Sequence, residues 1–115
     1  MQLSVVVMGH PKYAQASRSA LLFCLAAVKQ GHVIKQVFFM HDACWQAVSG
    51  ETEGDVLTRQ WSQLAKNNDI ELDLCVSAAD KRELVQSNMA EGFQARGLGQ
   101  LVDVAIAVDR TVTFR

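Results

Sequence analysis

Cysteines are the side chains most able to do covalent chemistry in this sequence, which has three of them: Cys24, Cys44 and Cys75. Cys75 ends a predicted buried strand and precedes Ser77–Asp80, a capping-box pattern that predicts the start of a short helix. A thiol at such a turn lies near backbone N–H groups and the positive end of the helix dipole, which favour the thiolate. Cys75 is therefore a candidate nucleophile. Its position alone also fits a small buried residue that ends a strand.

The other cysteines and the histidines predict no second site. Cys24 falls on the apolar face of a predicted helix and is expected in the core. His41–Cys44 offers at most two metal ligands, and no further Cys/His pair in the sequence completes a tetrahedral site, so we predict no metal ion. Cys44 is interpreted as a loop or short-helix residue, and His10 and His32 as polar loop residues.

Cysteine number and charge limit the classes of function. An odd number of cysteines without a close pair favours a reducing cytoplasm. The 11 Lys and Arg nearly balance the 12 Asp and Glu, so nonspecific binding to nucleic acid or anionic lipid is not expected. The longest charge-free stretch, Met1–Pro11, is about half as long as a membrane-spanning helix requires. We interpret it as containing the first strand of the fold and not as a signal peptide.

Glycine patterns argue against a nucleotide cofactor. The glycines of Gly92–Gly99 do not match G-x-G-x-x-G and do not follow a predicted strand. The loop Gly9–Ala16 lacks the Gly-Lys-Ser/Thr of a phosphate-binding loop. We therefore predict that the protein uses no cofactor.

Hydrophobic periodicity predicts an α/β fold. Leu3–Met8 and Val33–Met40 are apolar runs typical of strands buried on both faces. Between them, residues 15–30 repeat with helical spacing and end at Gly31, a typical left-handed cap. A strand, a helix and a strand in this order predict a parallel pair with a right-handed crossover.

The rest of the chain extends the same pattern. A polar stretch, Ser49–Asp55, leads into a helix that ends at Asn67-Asn68. Strict alternation over Ile70–Leu74 predicts a strand with one wetter face, near a sheet edge or a subunit contact. The remaining predictions are a helix carrying Lys81 to Val85, a surface connection over Gln86–Gly97, a helix over Leu98–Ala107 packed on the sheet, and a last strand over Val108–Phe114.

We thus predict a single domain over residues 1–115, with three α/β/α layers around a mostly parallel sheet. Sites in such sheets lie beyond the carboxyl ends of the strands, where Cys75 is placed and Cys24 is not. No C-x-x-C and no second cysteine near Cys75 in the sequence supplies a resolving thiol. A single activated thiol suits the covalent transfer of a group such as sulfane sulfur. Lys81 and Arg82 either help to hold the thiolate or dock an acidic partner, or form an ordinary solvated helix face.

Five segments together resemble the DsrE/TusD family of sulfurtransferase subunits over nearly the whole chain. They are Val5–Gly9, Gln15–His32, Val37–Phe39, Leu74–Ala79 and Gly97–Arg110. The resemblance implies that Cys75, in its Cys-Val-x-Ala-Ala segment, carries a persulfide. It also implies a cytoplasmic relay that supplies sulfur for 2-thiouridine at the tRNA wobble position. The connection between Arg82 and Gly92 is shorter than is usual in the family.

The partners that the resemblance implies are TusB-like and TusC-like subunits in a dimer of heterotrimers, a TusA-like sulfur donor and a TusE-like acceptor. Two alternatives remain open. One is a DsrE-like subunit of dissimilatory sulfur oxidation with the same chemistry. The other is a noncatalytic assembly subunit whose cysteine is inert.

Overall fold

Parallel strands form the centre of the molecule. The computed structural model describes residues 1–48 and 54–115, and these form one five-stranded sheet in the order β4-β3-β2-β1-β5 with every neighbouring pair parallel. The elements are β1 (Gln2–Met8), α1 (Ala16–Lys29), β2 (Val33–Met40), the 3₁₀ helix His41–Ala47 (the 41–47 segment), α2 (Gly54–Asn68), β3 (Glu71–Cys75), α3 (Val76–Lys81), a 3₁₀ turn (Gln86–Asn88), β4 (Phe93–Arg96), α4 (Leu98–Ala107) and β5 (Arg110–Phe114). The predicted α/β class with a parallel sheet is confirmed.

The central strands are buried because their sequences are apolar on both faces. Val5, Val7, Val37 and Phe38 are all fully buried, as expected for parallel strands covered on both sides. Gly31 ends the crossover helix α1 with φ of 89°, a backbone conformation that costs glycine little. Most of the predicted polar stretch Ser49–Asp55 lies outside the described residues.

Trp61 of α2 packs against the sheet and hydrogen-bonds to α1. Its side chain is fully buried and meets the ring of Phe39 edge to face at 5.4 Å. Its indole Nε1 donates a hydrogen bond of 3.0 Å to Ser17 Oγ on α1, and Ser17 in turn donates to Gln46 Oε1 at 2.7 Å. The 41–47 segment is thereby fixed against both α1 and α2.

The strand β4 corrects the prediction of a surface connection over Gln86–Gly97. Phe93 is 2% exposed and pairs in register with Leu72 of β3. The strand has four residues, of which Gln94 and Arg96 are polar, so it has neither the length nor the apolar run that indicates a buried strand. Its partner β3 consequently lies inside the sheet, so the predicted sheet-edge position and wetter face of β3 are wrong. The alternative of a subunit contact stays a prediction.

The helices after β3 also differ from the predictions. α3 begins directly after Cys75 and ends at Lys81, two residues before Glu83 takes a positive φ of 56°. Ser77 therefore does not cap it, and Leu84 and Val85 lie beyond it. α4 has the predicted boundaries, but none of its side chains, all within the described residues, is buried. β5 begins at Arg110 and not at Val108.

Candidate functional site

Cys75 lies where the sequence placed it, at the carboxyl end of a parallel strand. It is the last residue of β3 and the N-cap of α3. The residue is 8% exposed, so it is nearly covered, whereas the next residue, Val76, is 39% exposed. This edge of the sheet is where parallel α/β proteins hold their ligands and reactive groups.

Arg96 lies beside Cys75 on the neighbouring strand. Cys75 and Arg96 are register partners in β3 and β4, and register partners on parallel strands place their side chains on the same face of the sheet. The Arg96 side chain is 44% exposed, and its Nε lies 3.8 Å from Oδ1 of Asp73. Arg96 was not predicted as a site residue, because the sequence of its stretch, Gln86–Gly97, predicts a surface connection. The position of Arg96 next to the end of β3 follows only from the pairing of β4 with β3.

Beneath Arg96, a carboxylate is buried within the sheet face. Asp73 is fully buried and lies two residues before Cys75, hence on the same face. It accepts hydrogen bonds from Gln36 Nε2 at 2.6 Å and from Gln94 Nε2 at 3.0 Å. Three adjacent strands therefore share one polar cluster, and a buried carboxylate is tolerated because donors surround it.

Gln36 adds an unusual detail to this cluster. The residue is fully buried, and within the described residues its Oε1 has no hydrogen-bond partner. Its amide is thus oriented by Asp73 alone, since Nε2 faces the carboxylate. The Asp73 carboxylate therefore fixes the orientation of the Gln36 amide. This orientation leaves Gln36 Oε1 unpaired among the described residues, which is unfavourable for a buried oxygen.

Arg82 connects the element after Cys75 to the 41–47 segment. Its guanidinium donates to Asp42 Oδ1 at 2.7 Å and to the Ala78 carbonyl at 2.9 Å. The hydrogen bond from Arg82 is the main reason that the pKa of the Asp42 carboxyl is lowered. Lys81 lies exposed at the end of α3. Arg82 thus forms an ion pair with Asp42. Lys81 is exposed to solvent, as expected if it belongs to an ordinary solvated helix face.

Cys44 is the second thiol at this edge of the sheet. It lies within the 41–47 segment, as the short-helix interpretation expected, and is fully buried. Its Sγ donates to the Phe39 carbonyl at 3.4 Å, and Phe39 pairs in register with Leu74, the residue before Cys75. Burial raises the pKa of this thiol to about 11. The sequence held no cysteine close to Cys75 along the chain, but the fold brings Cys44 next to it.

Cys24 is buried in the core, as predicted, and burial raises its pKa from 9.0 to about 12. The unfolded chain therefore loses this proton before the folded chain does, so the contribution of Cys24 to stability is complete below about pH 9 and decreases as the pH rises toward 12. Between about pH 8 and pH 10.5 we expect the free energy of unfolding to fall by about 2 kcal/mol less in Cys24→Ala than in the wild type. Urea unfolding at both pH values checks this, and equal losses would contradict it.

Of the remaining candidates from the sequence, His10 lies near this edge of the sheet and His32 does not. His10 is in the loop after β1, where its Nδ1 accepts a hydrogen bond of 3.1 Å from the Lys12 backbone, and it is among the groups that lower the pKa of the Asp42 carboxyl. His32 lies in the turn before β2. Among the described residues, no group of three or more His, Cys, Asp or Glu side chains is placed to hold a metal ion. In the same part of the chain, no helix is long and apolar enough to cross a membrane.

The fold and the site define a class, a small α/β protein with a parallel sheet and a cysteine at the carboxyl end of an inner strand. The model of the DsrE/DsrF-like family matches residues 1–114. The chain therefore belongs to the DsrE/DsrF-like family.

Curated relatives agree with this assignment, and a solved structure shows the same fold. The chain is 41% identical to the sulfurtransferase TusD homolog of Aliivibrio fischeri over 125 residues, covering 95% of each chain. It is 35% identical to sulfurtransferase TusD of Erwinia tasmaniensis over 128 residues, covering 99% of this chain and all of the relative. The crystal structure of the ychN protein from E. coli has the same fold, with a TM-score of 0.87 at 21% identity, covering 99% of this chain and 100% of that chain.

Proposed function

We propose that this chain is a cytoplasmic sulfurtransferase subunit that carries sulfur as a persulfide on Cys75. The observation that supports this most directly is the position of Cys75 at the carboxyl end of β3 in a chain whose relatives are named sulfurtransferases. The sulfur passes along a relay that serves 2-thiouridine formation at the tRNA wobble position. This is the role implied by the resemblance to TusD.

Sulfur transfer by a thiol proceeds in two exchanges. The Cys75 thiolate attacks the terminal sulfur of a persulfide on the donor, a bond forms between the two sulfurs, and the donor thiolate leaves with the electron pair. An acceptor thiolate then attacks the terminal sulfur on Cys75, takes it, and releases the Cys75 thiolate. Each exchange breaks one S–S bond and forms another, so the carrier returns to its initial state.

The partners proposed for these exchanges are a TusA-like donor and a TusE-like acceptor, with TusB-like and TusC-like chains in the same complex. The surface of α4 supports contact with other chains. Leu98, Val102 and Ile106 recur every four residues along this helix and are 51%, 53% and 79% exposed. An exposed apolar stripe of this kind is typical of a protein contact.

Dissimilatory sulfur oxidation is the second candidate for the relay. It is favoured by a protein named DsrE from Allochromatium vinosum, which is 33% identical over 128 residues and covers 99% of this chain. The same Cys75 chemistry serves both roles. Sulfite-reductase genes next to the gene for this chain would favour sulfur oxidation over tRNA thiolation.

Loading with sulfur tests the carrier role. The chain is incubated with a cysteine desulfurase, cysteine and a TusA-like donor, and its intact mass is measured under non-reducing conditions. We expect an adduct of about 32 Da, located on the Cys75 peptide. If no adduct forms even with TusB-like and TusC-like chains present, the carrier role is wrong.

Arg96→Gln is expected to slow this loading by up to about fivefold, because a partly exposed cation is worth up to about 1 kcal/mol to a nearby anion. Arg96 is the in-register neighbour of Cys75, so its guanidinium is placed to stabilise the negative charge that passes between the sulfurs during the exchange. The initial rate of adduct formation measures the effect. Arg110→Gln is the matched control, since Arg110 is exposed on β5 at the opposite edge of the sheet. Equal rates in both variants and in the wild type would exclude this role for Arg96.

A further inference from the structure

Two thiols that are distant in the sequence meet at the ends of β2 and β3. Phe39 and Leu74 are register partners on these strands, and Cys75 is the next residue of β3. The Cys44 thiol donates to the Phe39 carbonyl at 3.4 Å. It therefore lies where β2 and β3 end side by side, one residue before Cys75 in the register of β3.

This arrangement brings the Cys44 thiol to the end of the strand that carries Cys75. The 41–47 segment packs against both β3 and α3, the two elements that meet at Cys75. The ion pair of Arg82 and Asp42, at 2.7 Å, joins the two segments that carry the cysteines. Both segments also pack on the buried core, which includes Cys44 and Cys75 themselves.

We propose that Cys44 is a resolving thiol, which discharges the Cys75 persulfide when no acceptor arrives. The inference rests on the proposed function, because it requires sulfane sulfur on Cys75. The persulfide is then either transferred to an acceptor or, in the absence of one, discharged by Cys44.

The discharge balances without an external oxidant. Cys44 loses its proton and attacks the Sγ of Cys75, so a disulfide forms between the two cysteines while the bond to the terminal sulfur breaks. The terminal sulfur leaves with the electron pair, takes up the proton and is released as hydrogen sulfide. The Cys44 sulfur is oxidised and the terminal sulfur is reduced. A dithiol reductant returns both cysteines to thiols.

The surroundings of Cys44 make the discharge slow relative to transfer. The thiol is fully buried, and burial raises its pKa to about 11. The charged groups that act on it are Arg82 after α3, Asp42 at the start of its own segment, and Cys75 itself. The cation favours the Cys44 thiolate, and the two acidic groups disfavour it. At neutral pH the thiol stays protonated, so it does not compete with a docked acceptor.

The test compares the lifetime of the adduct in the wild type and in Cys44→Ser. Serine keeps a donor for the Phe39 carbonyl, so it is a close structural match. Both chains are loaded through the TusA-like donor, separated from it, and kept without acceptor under anaerobic conditions. In the wild type we expect the adduct to be replaced by a chain about 2 Da lighter than the reduced form, with one hydrogen sulfide released per chain. In Cys44→Ser the adduct should last at least about tenfold longer.

Peptide mapping gives a second readout that does not depend on the folding of any variant. A cross-link between the Cys44 and Cys75 peptides of the discharged wild type is the expected product. Equal adduct lifetimes in the two chains, or movement of the extra sulfur to Cys44 without release of hydrogen sulfide, would overturn the resolving role and leave the carrier role intact. Failure of the wild type to load at all would overturn both.

Discussion

Cys75→Ser is expected to acquire no sulfur adduct and to pass no sulfur to an acceptor. A hydroxyl is a far weaker nucleophile than a thiolate at neutral pH, and an oxygen at this position cannot form the S–S bond that holds sulfane sulfur. The substitution changes one atom of a side chain that is 8% exposed, so the fold should persist. Intact mass after loading and transfer of ³⁵S to a TusE-like acceptor measure the two losses.

Cys24→Ser is the control for this loss. Cys24 is fully buried in the helical layer, so its replacement removes a thiol without touching the sheet edge, and we expect loading to be retained by the folded fraction. Circular dichroism of both variants verifies that fraction. Normal sulfur transfer by a complex that contains Cys75→Ser would reject the carrier role and favour the alternative of a noncatalytic assembly subunit.

Local pattern predicts the long elements of this fold well. Val33–Met40 and Leu98–Ala107 have the predicted boundaries, because unbroken apolar runs and Gly-bounded periodicity depend only on neighbouring residues. The same pattern places Cys24 in the core and Cys75 at the end of its strand. Both are confirmed.

The parts that were missed depend on contacts between distant residues. β4 is a strand because Phe93 is buried against β3, and Asp73 is tolerated inside the sheet because Gln36 and Gln94 lie on the two adjacent strands. The alternation of apolar and acidic residues over Ile70–Leu74 predicted that the face with Asp73 is solvated, because an unpaired carboxylate is rarely buried. Likewise, the fold alone brings Cys44 to Cys75.

Asp73→Ala is expected to lower the free energy of unfolding by about 3 kcal/mol, because it leaves two side-chain amides without their shared acceptor. Asp73 is fully buried, and it accepts from Gln36 Nε2 at 2.6 Å and from Gln94 Nε2 at 3.0 Å. Water cannot readily replace the carboxylate as the acceptor for Gln36 Nε2, because Gln36 is also fully buried. Urea unfolding at neutral pH measures the change.

Asp73→Asn is the matched control, and its cost is expected to stay below about 1.5 kcal/mol. Asparagine keeps one carbonyl oxygen for Gln94. Its new amide group can donate to Gln36 Oε1, which has no partner among the described residues, once the Gln36 amide rotates. Equal losses in the two variants would show that the negative charge, through Arg96, matters more than the hydrogen bonds. Wild-type stability in Asp73→Ala would show that the polar cluster does not stabilise the sheet. Because Asp73→Asn is expected to keep the fold, its rate of Cys75 loading measures what the charge beneath Arg96 contributes to sulfur transfer.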